Sequence, residues 1–99
     1  MPDRETIAVY ILLATTLIDS VPYDAQGALI LLQSIEAAFD QSGSRILNNS
    51  VQFRAAMHFN ALAGFGEDGT ARSDARQSLA RVVVHIERLL GPPEHEDLP

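Results

Sequence analysis

Between Ala71 and Leu90 the apolar side chains return every third or fourth position: Ala71, Ala75, Leu79, Val82, Val83, Ile86, Leu89 and Leu90. This 3-4 spacing puts them on one face, and Arg72, Arg76, Arg81, Glu87 and Arg88 are read as the outer side. Such a pattern does not suit a strand, whose faces alternate every second residue. It calls for a helix that buries one side. Three earlier blocks, each about 14 to 20 residues long, are rich in Ala, Leu and Gln and too long for ordinary strands. The expected fold is all-α: a small antiparallel bundle of about four helices, completed by dimerisation.

Local punctuation sets the boundaries. Asp3 is a candidate cap for the first helix, which should run to about Ser20, because the residue before Pro22 is driven out of the α region. Asp24 can cap a second helix that ends near Gln41, with Gly43 free to turn the chain. Asn49 or Ser50 opens a third helix that runs to about Ala63 and is broken by Gly64 and Gly66. The segment 44–48 fits either an extra turn or an earlier start. The fourth helix begins near Thr70 or Ser73 and stops at Gly91, before Pro92-Pro93. Residues 1–91 thus form one expected helical domain, and residues 92–99 a flexible acidic tail.

Composition excludes several classes. Cysteine is absent, which removes disulfides, thiolate catalysis and thiolate metal sites. The longest unbroken apolar run, Ile7–Ala14, is shorter than the roughly 20 residues a membrane helix needs, and the opening MPDRE lacks a basic region leading into a signal core. A cytoplasmic chain with no membrane contact is expected. The net charge of −6 disfavours direct nucleic-acid binding and argues against a helix-turn-helix built from the last two helices. The charge is uneven: residues 1–43 carry −5, residues 44–66 carry +2 and residues 67–90 are neutral. The arginines of the fourth helix are read as a solvated face.

Apparent motifs dissolve under their physical requirements. Gly64–Gly69 spells G-x-G-x-x-G, yet a dinucleotide loop needs a strand before it, and Glu67 and Asp68 would repel a phosphate. It reads as a helix end and a turn. His58, His85 and His95 lack neighbouring carboxylates or thiolates with ligand spacing. Asn48-Asn49-Ser50 fits a glycosylation sequon but serves better as a cap. No metal, cofactor or catalytic residue is expected, and the chain is read as a non-enzyme.

The informative feature is excess apolar surface. The first helix places Ile7, Tyr10, Ile11, Leu13, Ala14, Leu17 and Ile18 on its expected core face, leaving Ala8, Val9 and Leu12 among Glu5, Thr15, Thr16 and Asp19. The second buries Ala25, Ala28, Leu31, Leu32, Ile35 and Phe39, leaving Ile30 and Ala37 among polar residues. For the third, Val51, Ala55, Phe59, Leu62 and Ala63 form the expected core stripe. Phe53 and Met57 then fall outside it beside Arg54, unless the phase is shifted and they belong to the core. Apolar residues that gather into a surface patch imply association, and aromatic, Met and Arg side chains are enriched at interface cores. Val9, Leu12, Ile30, Phe53, Arg54 and Met57 are therefore the candidate partner-binding residues. A two-fold homodimer is the simplest assembly.

The apolar first two blocks, ETIAVYILLATTLIDS and YDAQGALILLQSIEAAF, meet at a short proline turn in an acidic, cysteine-free helical chain. In this character, over residues 3–91, the chain resembles the small α-helical bacterial anti-activators of quorum sensing. The resemblance implies a dimer that binds a LuxR-type transcription activator, occupies its dimerisation surface and keeps it off DNA. It assigns no individual residue a role. An immunity protein or antitoxin that neutralises a toxin, and a small ligand-binding helical domain, are the alternative readings.

Overall fold

A computed structural model of the chain describes residues 2–65 and 69–90. Among the described residues four helices make up the fold: α1 (Arg4–Ile18), α2 (Ala25–Gln41), α3 (Val51–Phe65) and α4 (Gly69–Leu90). No strand occurs among the described residues. The all-α expectation holds, and the residues of the acidic tail lie outside those described.

The caps follow from the sequence. The Asp3 carboxylate accepts the Thr6 backbone N–H at 2.8 Å, and that bond holds its carboxyl below the ordinary range. Asp24 accepts from the Gly27 N–H at 2.9 Å. Gly27 leaves room for this cap, because a Cβ at this position would displace the Asp24 carboxylate. Of the two candidates before α3, Ser50 is the cap: its hydroxyl oxygen accepts the Phe53 N–H at 3.1 Å. Segment 44–48 is no helix. It forms hydrogen-bonded turns, Asn48 N–H to Arg45 C=O and Ser50 N–H to Leu47 C=O, which deliver Leu47 into the core. Gly43 has φ of 83°, the left-handed conformation that ends α2 cheaply. The Val21–Pro22 bond between α1 and α2 is cis.

Packing is organised around α4, which touches each of the other three helices. Ala75, Leu79, Val82 and Ile86 are its buried stripe, with Ala71, Val83, Leu89 and Leu90 packed against the core. In α2 all six expected core residues are buried. Arg4 ties the ends of α1 and α4 together by donating to the Leu90 carbonyl at 2.8 Å.

Two expectations are overturned. Leu13 stands about half exposed rather than in the core, because α1 rests on its neighbours through Ile7 and Ala14, with Ile11 and Ile18 beside them. More consequentially, α3 is rotated from its expected phase. Phe53 is 0% exposed and Met57 packs against the core, while Val51 is 78% exposed and Leu62 53%. The buried face is Phe53, Ala56, Asn60 and Ala63, a sound 3-4-3 stripe interrupted by one polar residue.

Asn60 can be buried because all its groups are bonded. Its oxygen accepts the Tyr23 hydroxyl at 2.5 Å, and its amide donates to the carbonyls of Ala56 (2.8 Å) and Ala75 (3.4 Å). One side chain thus links the α1–α2 turn, α3 and α4. Burial is the main cause that pushes the Tyr23 phenol from 10.0 up to about 12, opposed by the nearby Arg76 charge and the Asn60 bond.

Two tests follow from this packing. Phe53→Ala should cost about 3–5 kcal/mol in denaturant melts through lost burial and a cavity, whereas Val51→Ala should stay within about 0.5 kcal/mol. For Tyr23, a raised folded-state pKa means that the neutral phenol contributes its full stability below pH 10.0, and that this share is lost as pH climbs toward about 12. The wild-type midpoint should therefore fall faster over that window than that of Tyr23→Phe, and parallel curves would refute the assignment.

Candidate functional site

The turn at residues 19–24 folds α2 back beside α1, and the two helices leave a groove of about 400 Å³ between them. From α1 it is lined by Tyr10, Leu13, Thr16 and Leu17, and from α2 by Gly27, Ile30, Leu31 and Ser34. No charged residue lines it among the described residues. Its two aliphatic hydroxyls are turned inward: Thr16 donates to the Leu12 carbonyl at 2.9 Å and Ser34 to the Ile30 carbonyl at 2.9 Å. A hydroxyl already bonded within its own helix offers no donor to a visitor. Apart from the Tyr10 phenol, the lining is effectively hydrocarbon.

The rim extends the same chemistry. At 100° per residue Leu12, Thr16, Val9, Leu13, Leu17 and Tyr10 share one arc of α1, which also holds Glu5 and Thr6 in the first turn. Leu12 is 67% exposed, Val9 56%, and Ile30 across the groove 65%. A concentration of large aliphatic side chains in water is the kind of surface that marks an interaction site. The segment that supplies both helices, residues 1–43, carries a net −5, and Glu5 lies one turn before Val9 on α1.

The six candidate residues therefore separate. Val9, Leu12 and Ile30 lie on one exposed α1–α2 face, which Leu13 joins as a residue the sequence reading placed in the core. Arg54 is exposed on α3. Phe53 and Met57 form no exposed ridge; they are packed inside, because the ladder through Asn60 turns that side of α3 inward.

Other features carry less chemistry. No group of three His, Asp or Glu residues is arranged to hold a metal among the described residues. His58 is exposed and meets the Phe59 ring edge-on at 5.7 Å. His85 shares an open hollow of about 360 Å³ with Gln52, Arg81, Val84 and Arg88. Of the glycine-rich stretch, Gly64 lies in the last turn of α3 and Gly69 opens α4, so a helix and not the strand of a dinucleotide loop precedes it; Gly66, Glu67 and Asp68, where the turn is expected, lie outside the described residues. No helix is long and apolar enough to cross a membrane among the described residues.

A feature that the sequence reading passed over lies where the α1–α2 turn meets the start of α4. Pro22, Tyr23, Arg72, Ser73 and Arg76 line a pocket of about 250 Å³. The Arg76 guanidinium sits 5.4 Å from the centre of the Tyr23 ring and donates to the Ser20 carbonyl at 2.9 Å. The available signal was the pair Arg72 and Arg76, like charges four residues apart on a helix, an arrangement that costs stability unless something offsets it.

No family model matches the chain, nor does any curated protein or solved structure.

The rim of the groove should be dispensable for folding. Leu12→Ser and Ile30→Ser are expected to shift the unfolding free energy of the monomer by no more than about 0.5 kcal/mol, measured by urea melts at protein concentrations dilute enough to keep the chain monomeric. A loss several times larger would place these side chains in a buried contact.

Proposed function

We propose that this chain is a non-enzymatic interaction protein that works by laying its α1–α2 face over an apolar surface of a partner protein. The observation that supports this most directly is the groove: Val9, Leu12, Leu13 and Ile30 stand in water around an uncharged cleft. Burying them against a partner recovers about 25 cal/mol per Å² of apolar surface. The acidic first half of the chain favours a partner whose apolar patch is framed by basic residues, since complementary potentials speed encounter and exclude wrong partners.

The same face serves self-association. A two-fold axis would bring two α1–α2 faces together, each covering the other, in the isologous arrangement of most homodimers. In its most specific form, the reading is a cytoplasmic anti-activator in quorum sensing. The chain would sequester a LuxR-type transcription activator, with its groove face set against the surface through which that activator dimerises. This form rests on the resemblance of the first two blocks and on the apolar character of the face.

Light scattering should give about twice 10.8 kDa at micromolar concentration. Titration of the purified chain into a LuxR-type activator on its operator should release the DNA. Leu12→Ser combined with Ile30→Ser should weaken that effect about 30-fold or more, the scale of hot-spot loss. Release that is unaffected by the double variant would move the interface elsewhere. A chain that never displaces the activator but protects against a toxin would replace the anti-activator reading with an immunity function.

A further inference from the structure

We propose that the pocket between the α1–α2 turn and α4 binds a small oxyanion, the carboxylate or phosphate group of a small molecule, through Arg72, Ser73 and Arg76. The site shares no lining residue with the groove and stands independently of the function proposed for that face.

Charge is the first support. In an acidic chain, two guanidinium groups one turn apart converge on one concavity, and no carboxylate lines it among the described residues. Among the described residues neither arginine has an ion-pair partner. Arg76 is half-buried, and among those residues its positive charge meets a backbone carbonyl and the face of the Tyr23 ring. Its Nε–H is buried with no hydrogen-bond partner. A partly desolvated cation without a counter-ion is costly, and a bound anion would offset that cost.

Preorganisation is the second support. The ring of Tyr23 is fixed from behind, because its hydroxyl is committed to Asn60, and the ring in turn backs the Arg76 guanidinium. Arg76 is further pinned to the Ser20 carbonyl. A cation held in place before the ligand arrives loses less entropy on binding. Arg72, exposed on the preceding turn, is free to close on the ligand, and the Ser73 hydroxyl supplies a neutral donor beside it. Size sets the ligand class: about 250 Å³ is below the roughly 300–1,000 Å³ of sites for drug-sized molecules. Inorganic phosphate or a short dicarboxylate fits within it.

Titration calorimetry of the full chain with inorganic phosphate and with succinate, at constant ionic strength set by chloride, tests this. At least one should bind saturably, and the one that saturates at lower concentration identifies the source of the oxyanion. Arg72→Gln should weaken binding about tenfold or more, the scale of a lost charge-assisted hydrogen bond. Arg81→Gln, on the same helix outside the pocket, should change it less than about twofold. Arg72 is exposed, so the unliganded melting temperature of Arg72→Gln should match wild type, and Ser73→Ala provides a second variant that removes no charge. The proposal is overturned if neither anion saturates, or if Arg72→Gln and Arg81→Gln weaken binding equally.

Discussion

The contact on which the rest of this structure depends is made by an amide. Asn60 lies in the middle of α3 with no exposure, accepting from Tyr23 and donating to Ala56 and Ala75. An unbonded amide in that position would cost on the order of 1–3 kcal/mol, so the helix has one favourable rotation that satisfies it. That rotation carries Phe53 into the core and sends Val51 and Leu62 outward. It also holds the α1–α2 turn against α4, since the hydroxyl that reaches Asn60 comes from the residue after Pro22. The arginine pocket is built on this turn, and the groove lies between the two helices that the turn joins.

The readability of each helix follows from how its polar residues are sorted. In α2 and α4 the polar residues are largely segregated from one apolar stripe, with Ser78 buried on α4 where its hydroxyl bonds the Ala75 carbonyl, and the sequence alone places the buried apolar residues correctly. In α3 apolar residues occupy more than one arc, and the true core face is the one that contains an Asn. Hydrophobicity reads that residue as a mark of the wet side. Its bonds come from Tyr23 and Ala75, distant in sequence, so local pattern has no access to them. Leu13 was misplaced for a related reason: α1 is apolar over so wide an arc that period alone cannot say where the neighbours end.

The same distinction applies to the sites. The exposure of Val9, Leu12 and Ile30 was legible because each interrupts a polar face, and excess apolar character survives small errors of phase. The pairing of Phe53 with Met57 did not survive, because it depended wholly on the phase of one helix. The pocket of Arg72 and Arg76 was hidden among ordinary surface arginines. Only the fold brings Tyr23 beneath one of them and turns a charged face into a concavity.

Gly27 joins the folding of α2 to the shape of its surface. Its bare Cα leaves room for the Asp24 carboxylate that caps the helix, and the residue itself lines the groove. A single methyl group added there would meet that carboxylate and disturb the start of the helix that forms one wall of the cleft. Mutational drift at this position is therefore penalised through folding, and selection for a stable α2 preserves that wall even where nothing yet occupies the cleft. A docking surface rooted in this way can persist through a change of partner, with the exposed rim residues left free to vary and set the choice.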